Sequence, residues 1–152
     1  MAPHISRLID AVTVEDVQKC LFEAMASFGF QHTLYAARYL LELPTTVIHE
    51  ELEVWSNFPD SFVSTLTSQK MLQVSYWAQW ALLNVGFITT EEITRLHGPD
   101  TLSDFARDKG FSGGILFSLK GKVLRSNGAV WLNPGQDATT EQTITLWDKK
   151  QP

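Results

Sequence analysis

The residue pattern predicts an α+β domain, a mostly antiparallel sheet with helices over its faces. Three observations carry this reading. Helix-start signatures followed by apolar residues at helical spacing recur between Thr13 and Gly110. One β-forming run, Phe30 to Leu41, follows the first of them. The last third then changes character, with apolar residues on both sides of Ser126-Asn127-Gly128, and Asn-Gly between apolar runs is the strongest short hairpin signal. Helix, strand, several helices and a hairpin, in that order, make a layered α+β domain.

Each element follows from its residues. The first helix takes Thr13 as its cap with Asp16 three residues on, carries Val14, Val17, Leu21, Ala24 and Phe28 on one face, and stops at Gly29. The strand from Phe30 to Leu41 sets Thr33, Tyr35 and Tyr39 among small alanines. Pro44, Thr45 and Thr46 break it, and Val47 to Trp55 fits either a strand or a short helix. Pro59 suits a first helical turn, with Asp60 and Ser61 near the positive end of the dipole and Phe62, Val63 and Leu66 facing inward. A further helix spans about Ser75 to Asn84, with Trp77, Trp80, Ala81 and Asn84 on one side. Thr89 and Thr90 ahead of Glu91 and Glu92 open another. After the His97-Gly98-Pro99 loop, Asp100 or Thr101 starts a helix with Leu102, Phe105 and Ala106 on its face, closed by Gly110. Ile115, Phe117 and Leu119 alternate along the first hairpin strand, and Val123, Ala129, Val130 and Trp131 follow. Thr139 to Lys150 begins a terminal helix with Ile144 and Trp147 three apart.

Composition bounds the function. The 152 residues suffice for one domain with a real core, and 44% hydrophobic against 19% charged residues describes a globular chain. A net charge of -5 argues against a broad nucleic-acid surface, and Lys120, Lys122 and Arg125 read as a solvated turn. The single cysteine, Cys20, excludes an intramolecular disulfide and fits a reducing compartment. It lies between Val17 and Leu21 on a helix, a packing position rather than a nucleophile's. With no signal peptide and no apolar run near the roughly 18 residues of a membrane span, the expected location is the cytoplasm.

The segment Phe58 to Thr90 holds Trp77, Trp80, Phe58, Phe62 and Phe87 but only two charges, Asp60 and Lys70. Such a mixture of aromatic, aliphatic and hydroxyl side chains suits either a core or a concave small-molecule pocket. Catalytic signatures are missing: no phosphate loop, no paired cysteines, no HExxH. Histidines 4, 32, 49 and 97 are scattered, and Glu50, Glu51 and Glu53 beside His49 read as a solvated face rather than a metal site. Gly113-Gly114 is better explained as a strand start needing close backbone approach than as a nucleotide fingerprint. The expectation is a non-enzyme without cofactor or metal.

The order of landmarks between Leu21 and Trp131 resembles the N-terminal autoinducer-binding domain of LuxR-type quorum-sensing transcription regulators. It includes FGF at 28 to 30, the Asn57-Phe58-Pro59 turn into a helix with Phe62, LSDFARDKGF at 102 to 111 and GGILFSLKG at 113 to 121. The resemblance implies a GAF/PAS-like α-β-α sandwich that holds an acyl-homoserine lactone between sheet and one helical layer, dimerises, and reaches DNA through a helix-turn-helix domain not contained in these residues.

Several positions depart from the family pattern. Phe58 stands for a tyrosine and Phe62 for a tryptophan; Ser75-Tyr76 falls where the family has the Asp-Pro whose carboxylate accepts the ligand amide N–H. No aspartate lies between Asp60 and Asp100, Thr90 falls near the tryptophan that donates to the lactone carbonyl, and Trp131 replaces a small residue of the pocket. Each lost bond is worth on the order of 1 kcal/mol, more where charge-assisted. The expectation is therefore a divergent, orphan sensor and dimerisation domain in quorum sensing and virulence that binds no ordinary acyl-homoserine lactone and whose melting temperature lactones leave unchanged. The ligand-binding residues implied are Tyr35, Phe58, Phe62, Leu66, Ser75, Trp77, Phe87, Thr89, Thr90, Leu116 and Trp131. Ser75, Thr89 or Thr90 would supply polar contacts and the aromatics the walls, or the aromatics fill the cavity altogether. Partners implied are a small-molecule signal and a homodimeric or related heterodimeric copy, with no membrane. The alternative is a stand-alone interaction protein that blocks full-length regulators as inactive heterodimers.

Overall fold

A computed structural model describes residues 9–42, 48–120 and 126–150. The predicted turn at Pro44, Thr45 and Thr46, together with Lys122, Val123 and Arg125, lies outside them. The order is α1 (Val14–Ser27), β1 (His32–Glu42), β2 (Ile48–Ser56), α2 (Asp60–Ser68), a 3-10 turn (Leu72–Val74), α3 (Tyr76–Leu83), β3 (Gly86–Thr89), α4 (Thr90–His97), α5 (Thr101–Asp108), β4 (Ile115–Lys120), β5 (Ser126–Asn133) and α6 (Thr140–Lys150).

The strands form one five-stranded sheet in the order β2-β1-β5-β4-β3, antiparallel at every pairing. Register aligns Leu34, Trp131, Leu116 and Ile88 in a row across four strands, one apolar side chain from each on the same face. Over that inner face pack Phe62 and Leu66 of α2, Trp77 and Ala81 of α3, Ile93 of α4, and Leu102 and Ala106 of α5. The alternate residues Ile115, Val130 and Leu132 face outward, where Met25 of α1 and Leu146 and Trp147 of α6 cover them. The result is the α-β-α sandwich that the pattern and the resemblance lead one to expect.

Local chemistry explains most boundaries. Thr13 and Asp16 form a reciprocal capping box, and Gly29 takes φ 98° just past the C-cap. Asn57 stitches the strand-to-helix turn: its side chain accepts from Thr33 N at 2.6 Å and donates to Gln31 O at 3.1 Å. Pro59 stands one place earlier than expected, as the N-cap of α2 rather than in its first turn.

One expectation is corrected and two points left open are resolved. Of the ambiguous Val47–Trp55 run, Ile48 to Trp55 is strand, within a β2 paired along β1 from Leu34 to Glu42, and Val47 lies outside the described residues. Asn127-Gly128 is no hairpin turn: both residues lie inside β5, opposite Lys120 and Leu119 on one side and Arg38 and Ala37 on the other. On α6 it is Thr143, fully buried, that faces inward, while Ile144 is 43% exposed.

Candidate ligand-binding site

Helix α3 roofs the inner face of the sheet because both its ends are tied down. At its start, the Ser75 hydroxyl accepts from Ala78 N at 2.9 Å, and the Asp100 carboxylate accepts from Tyr76 N at 2.7 Å. At its end, the buried Ser118 hydroxyl of β4 donates to Ala81 O and Asn84 O at 2.8 and 2.7 Å. Between these anchors the small residues Ala78 and Ala81 face the small residues Ala36 and Ala129 of β1 and β5, and the layers do not close. A cavity of about 380 Å³ remains, bounded also by the 3-10 turn and by Leu102 of α5. That volume lies within the range of small-ligand sites.

The wall is mostly apolar, and among the described residues no charged side chain contributes to it. Four of the residues expected at the site meet there: Ser75, Trp77, Leu116 and Trp131. Phe58, Phe62 and Leu66 lie beside the cavity rather than on its wall. Phe58 and Phe62 pack with Trp131 at ring centroid distances of 4.7 and 5.9 Å, and with Phe111 at 5.1 and 5.0 Å. The remaining four do not reach the cavity. Tyr35 and Phe87 point to the outer face, where they meet Trp55 and Trp147 at 4.9 Å each. Thr89 caps α4, and Thr90, with no exposed surface, donates to Ser112 O at 2.7 Å. Alternation along the strands explains the exclusion of Tyr35 and Phe87, since each neighbours an inward residue in sequence.

Polar groups in the wall are largely committed. Ser75 also donates to Leu72 O at 3.4 Å, and the Trp77 indole N–H donates to Thr94 Oγ1 at 3.2 Å. The Trp131 indole N–H is buried without a partner. It lies against Gly114, where an added Cβ would sit 2.6 Å from Nε1. Wall residues that sequence reasoning did not single out include Leu34, Ala36, Leu72, Gln73, Val74 and Leu82. The adjacent Ala36 and Ala37 of β1 signalled that one small residue faces inward; the turn residues carried no signal.

A second hollow, about 320 Å³, lies between α4 and α5 with Arg95 and Arg107 at its edge. Both guanidiniums are paired on their own helices, Arg95 with Glu92 and Arg107 with Asp104 at 3.0 Å. Hydrogen bonding from Arg95 holds the Glu92 carboxyl below its ordinary range. Glu53 is exposed and accepts from the Trp55 indole at 2.8 Å. Among the described residues no three His, Cys, Asp or Glu side chains converge, and no helix is long and apolar enough to cross a membrane.

A family model described as the autoinducer binding domain matches residues 13–151. Among solved structures, CepR2 from Burkholderia cenocepacia, described as an N-acylhomoserine lactone dependent LuxR family transcription factor, is similar with a TM-score of 0.70. The two share 14% identity over 95% of this chain and 84% of that one. SdiA in complex with octanoyl-rac-glycerol is similar with a TM-score of 0.65 and 15% identity, over 96% of this chain and 61% of that one. Another structure of Escherichia coli SdiA gives 0.66 and 14% over the same shares, so the chain spans 61% of the SdiA length. At these identities the likeness to the structures is one of fold. No curated protein sequence matches the chain significantly.

Proposed function

Because the chain belongs to the autoinducer-binding domain family of LuxR-type quorum-sensing regulators, we propose that it is a signal-sensing and dimerisation domain not tuned to ordinary acyl-homoserine lactones. Its ligand, in this reading, is a small neutral molecule carrying a hydrocarbon chain. The observation that carries the proposal is the cavity under α3: open, mostly apolar and, among the described residues, lined by no charged side chain. A lactone would bring an amide N–H and a ring carbonyl, and the buried part of the described wall offers neither a carboxylate for the first nor an accessible free donor for the second. Ser75, where the resemblance places the family aspartate, offers only a neutral oxygen that already accepts from Ala78 N. The SdiA structure supports the ligand class, since it holds a neutral acylglycerol in a similar fold. Dimerisation is carried over from the family, whose regulators commonly dimerise.

Thermal unfolding with chain-matched ligands tests this. At a hundredfold excess over its dissociation constant, octanoylglycerol is expected to raise the melting temperature by about 5–10 °C. N-octanoyl homoserine lactone is expected to do no better. A rise confined to the lactone would overturn the proposal. Silence from every chain would favour a purely protein-binding role.

A further inference from the structure

We infer that the ligand enters tail first and leaves its polar head at the cavity mouth, so that the site reads chain length and tolerates varied heads; this rests on the ligand-binding reading above. The wall changes character with depth. At the rim stand Gln73, Val74 and Gln79, all exposed, Val74 by 73%. At the closed end lie Leu34, Leu102, Leu116 and Trp131, none more than 5% exposed.

Three polar side chains are buried in that wall, and none is available to a ligand head. The Ser75 hydroxyl is engaged as both acceptor and donor. The Trp77 N–H is spent on Thr94. The Trp131 N–H is unpartnered but turned against Gly114, which is not part of the wall, and that nitrogen has no accessible surface. A hydroxyl or carbonyl pushed to the closed end would lose its water and gain no bond, weakening binding roughly tenfold to a hundredfold. At the rim the same group keeps its water and gains the carboxamides of Gln73 and Gln79. The hydrocarbon chain has the opposite preference. Polarity along the cavity therefore orients an amphiphile before any specific contact does.

Calorimetric titration of the full chain with single-chain probes tests the orientation. Along an alkanol series, each methylene should tighten binding about fourfold until the cavity is full. Octyl glucoside below its micelle concentration should bind as octanol does, because its bulky head never enters. Val74→Arg places a cation on the rim at an exposed position. It should tighten octanoate about twofold to fivefold relative to octanol. Loss of binding with the glucoside head, or an octanoate affinity indifferent to Val74→Arg, would overturn the orientation while leaving the ligand reading intact. Failure of every chain to bind would sink both.

Discussion

Asp100 sits where two helices begin, and its carboxylate serves both. Oδ1 accepts from Ser103 N at 2.8 Å to cap α5, and Oδ2 accepts from Tyr76 N at 2.7 Å at the head of α3. Ser103 returns the bond, accepting from Asp100 N at 2.8 Å. A helix cap is worth about 0.5–2 kcal/mol and a charge-assisted bond about 1.5–3. Asp100→Ala should therefore cost about 2–4 kcal/mol in urea unfolding with an unchanged m-value. Asp100→Asn keeps one acceptor for Ser103 N but loses the second oxygen, and should fall between. Equal stability of all three proteins would show that the carboxylate does not hold α3. The cap on α5 was legible in the sequence, since Asp precedes an apolar helical face. The bond to Tyr76, 24 residues away, was not, because no local pattern encodes which loop meets which helix.

The elements were most legible where one chemical signal dominated. Capping boxes, positive-φ glycines and helical spacing located α1, α4 and α5 to within a residue or two. One strand escaped and the start of another was misread, for different reasons. β3 has only four residues, Gly86–Thr89, too few for a period to declare itself. β5 contains Asn127-Gly128, whose turn preference yields to a position between two antiparallel partners. Shifting β5 by one residue would turn Trp131 out of the inner row, a far larger loss than the local preference. The strand-start reading of Gly113-Gly114 had a firmer basis. A Cβ on Gly113 would collide with the Ala138 carbonyl oxygen and lie 3.0 Å from the Thr139 carbonyl carbon. Beside it, Thr143 donates its hydroxyl to Gly113 O, docking α6 on the start of β4. Overpacking of this kind typically costs about 1–3 kcal/mol. Gly113→Ala should lose at least that, measured by chemical denaturation, with the loss traced to α6 by faster amide exchange in Thr143–Asp148. A variant as stable as the parent would mean that β4 and α6 separate freely.

The two faces of the sheet are unequal, and this shapes the dynamics of the whole molecule. The outer face is closed: Leu146 fills the space over Gly29, and Trp147 stacks near Phe87 and Phe117 at 4.9 and 5.9 Å. The inner face is closed only at its aromatic end, where Phe62 stacks on Phe105 at 4.8 Å and Trp131 meets Trp77 at 5.1 Å. Helix α3 bridges the rest over a hollow, held by its end contacts more than by packing beneath it. Missing neighbours mean missing dispersion, so α3 should open at a lower free energy than the sheet below. This hollow was beyond the sequence: Ala36, Ala78, Ala81 and Ala129 are ordinary core residues until register and crossing place them opposite one another. Native-state hydrogen exchange resolves the point. Amides of α3 should exchange through a sub-global opening, while β1 and β5 exchange only with global unfolding. Saturating octanoylglycerol should slow α3 beyond the general stabilisation, because the ligand supplies the contacts that the hollow lacks. If α3 and the sheet exchange at one common free energy, with or without ligand, the roof is as firmly packed as the core and signal cannot be read through its closure.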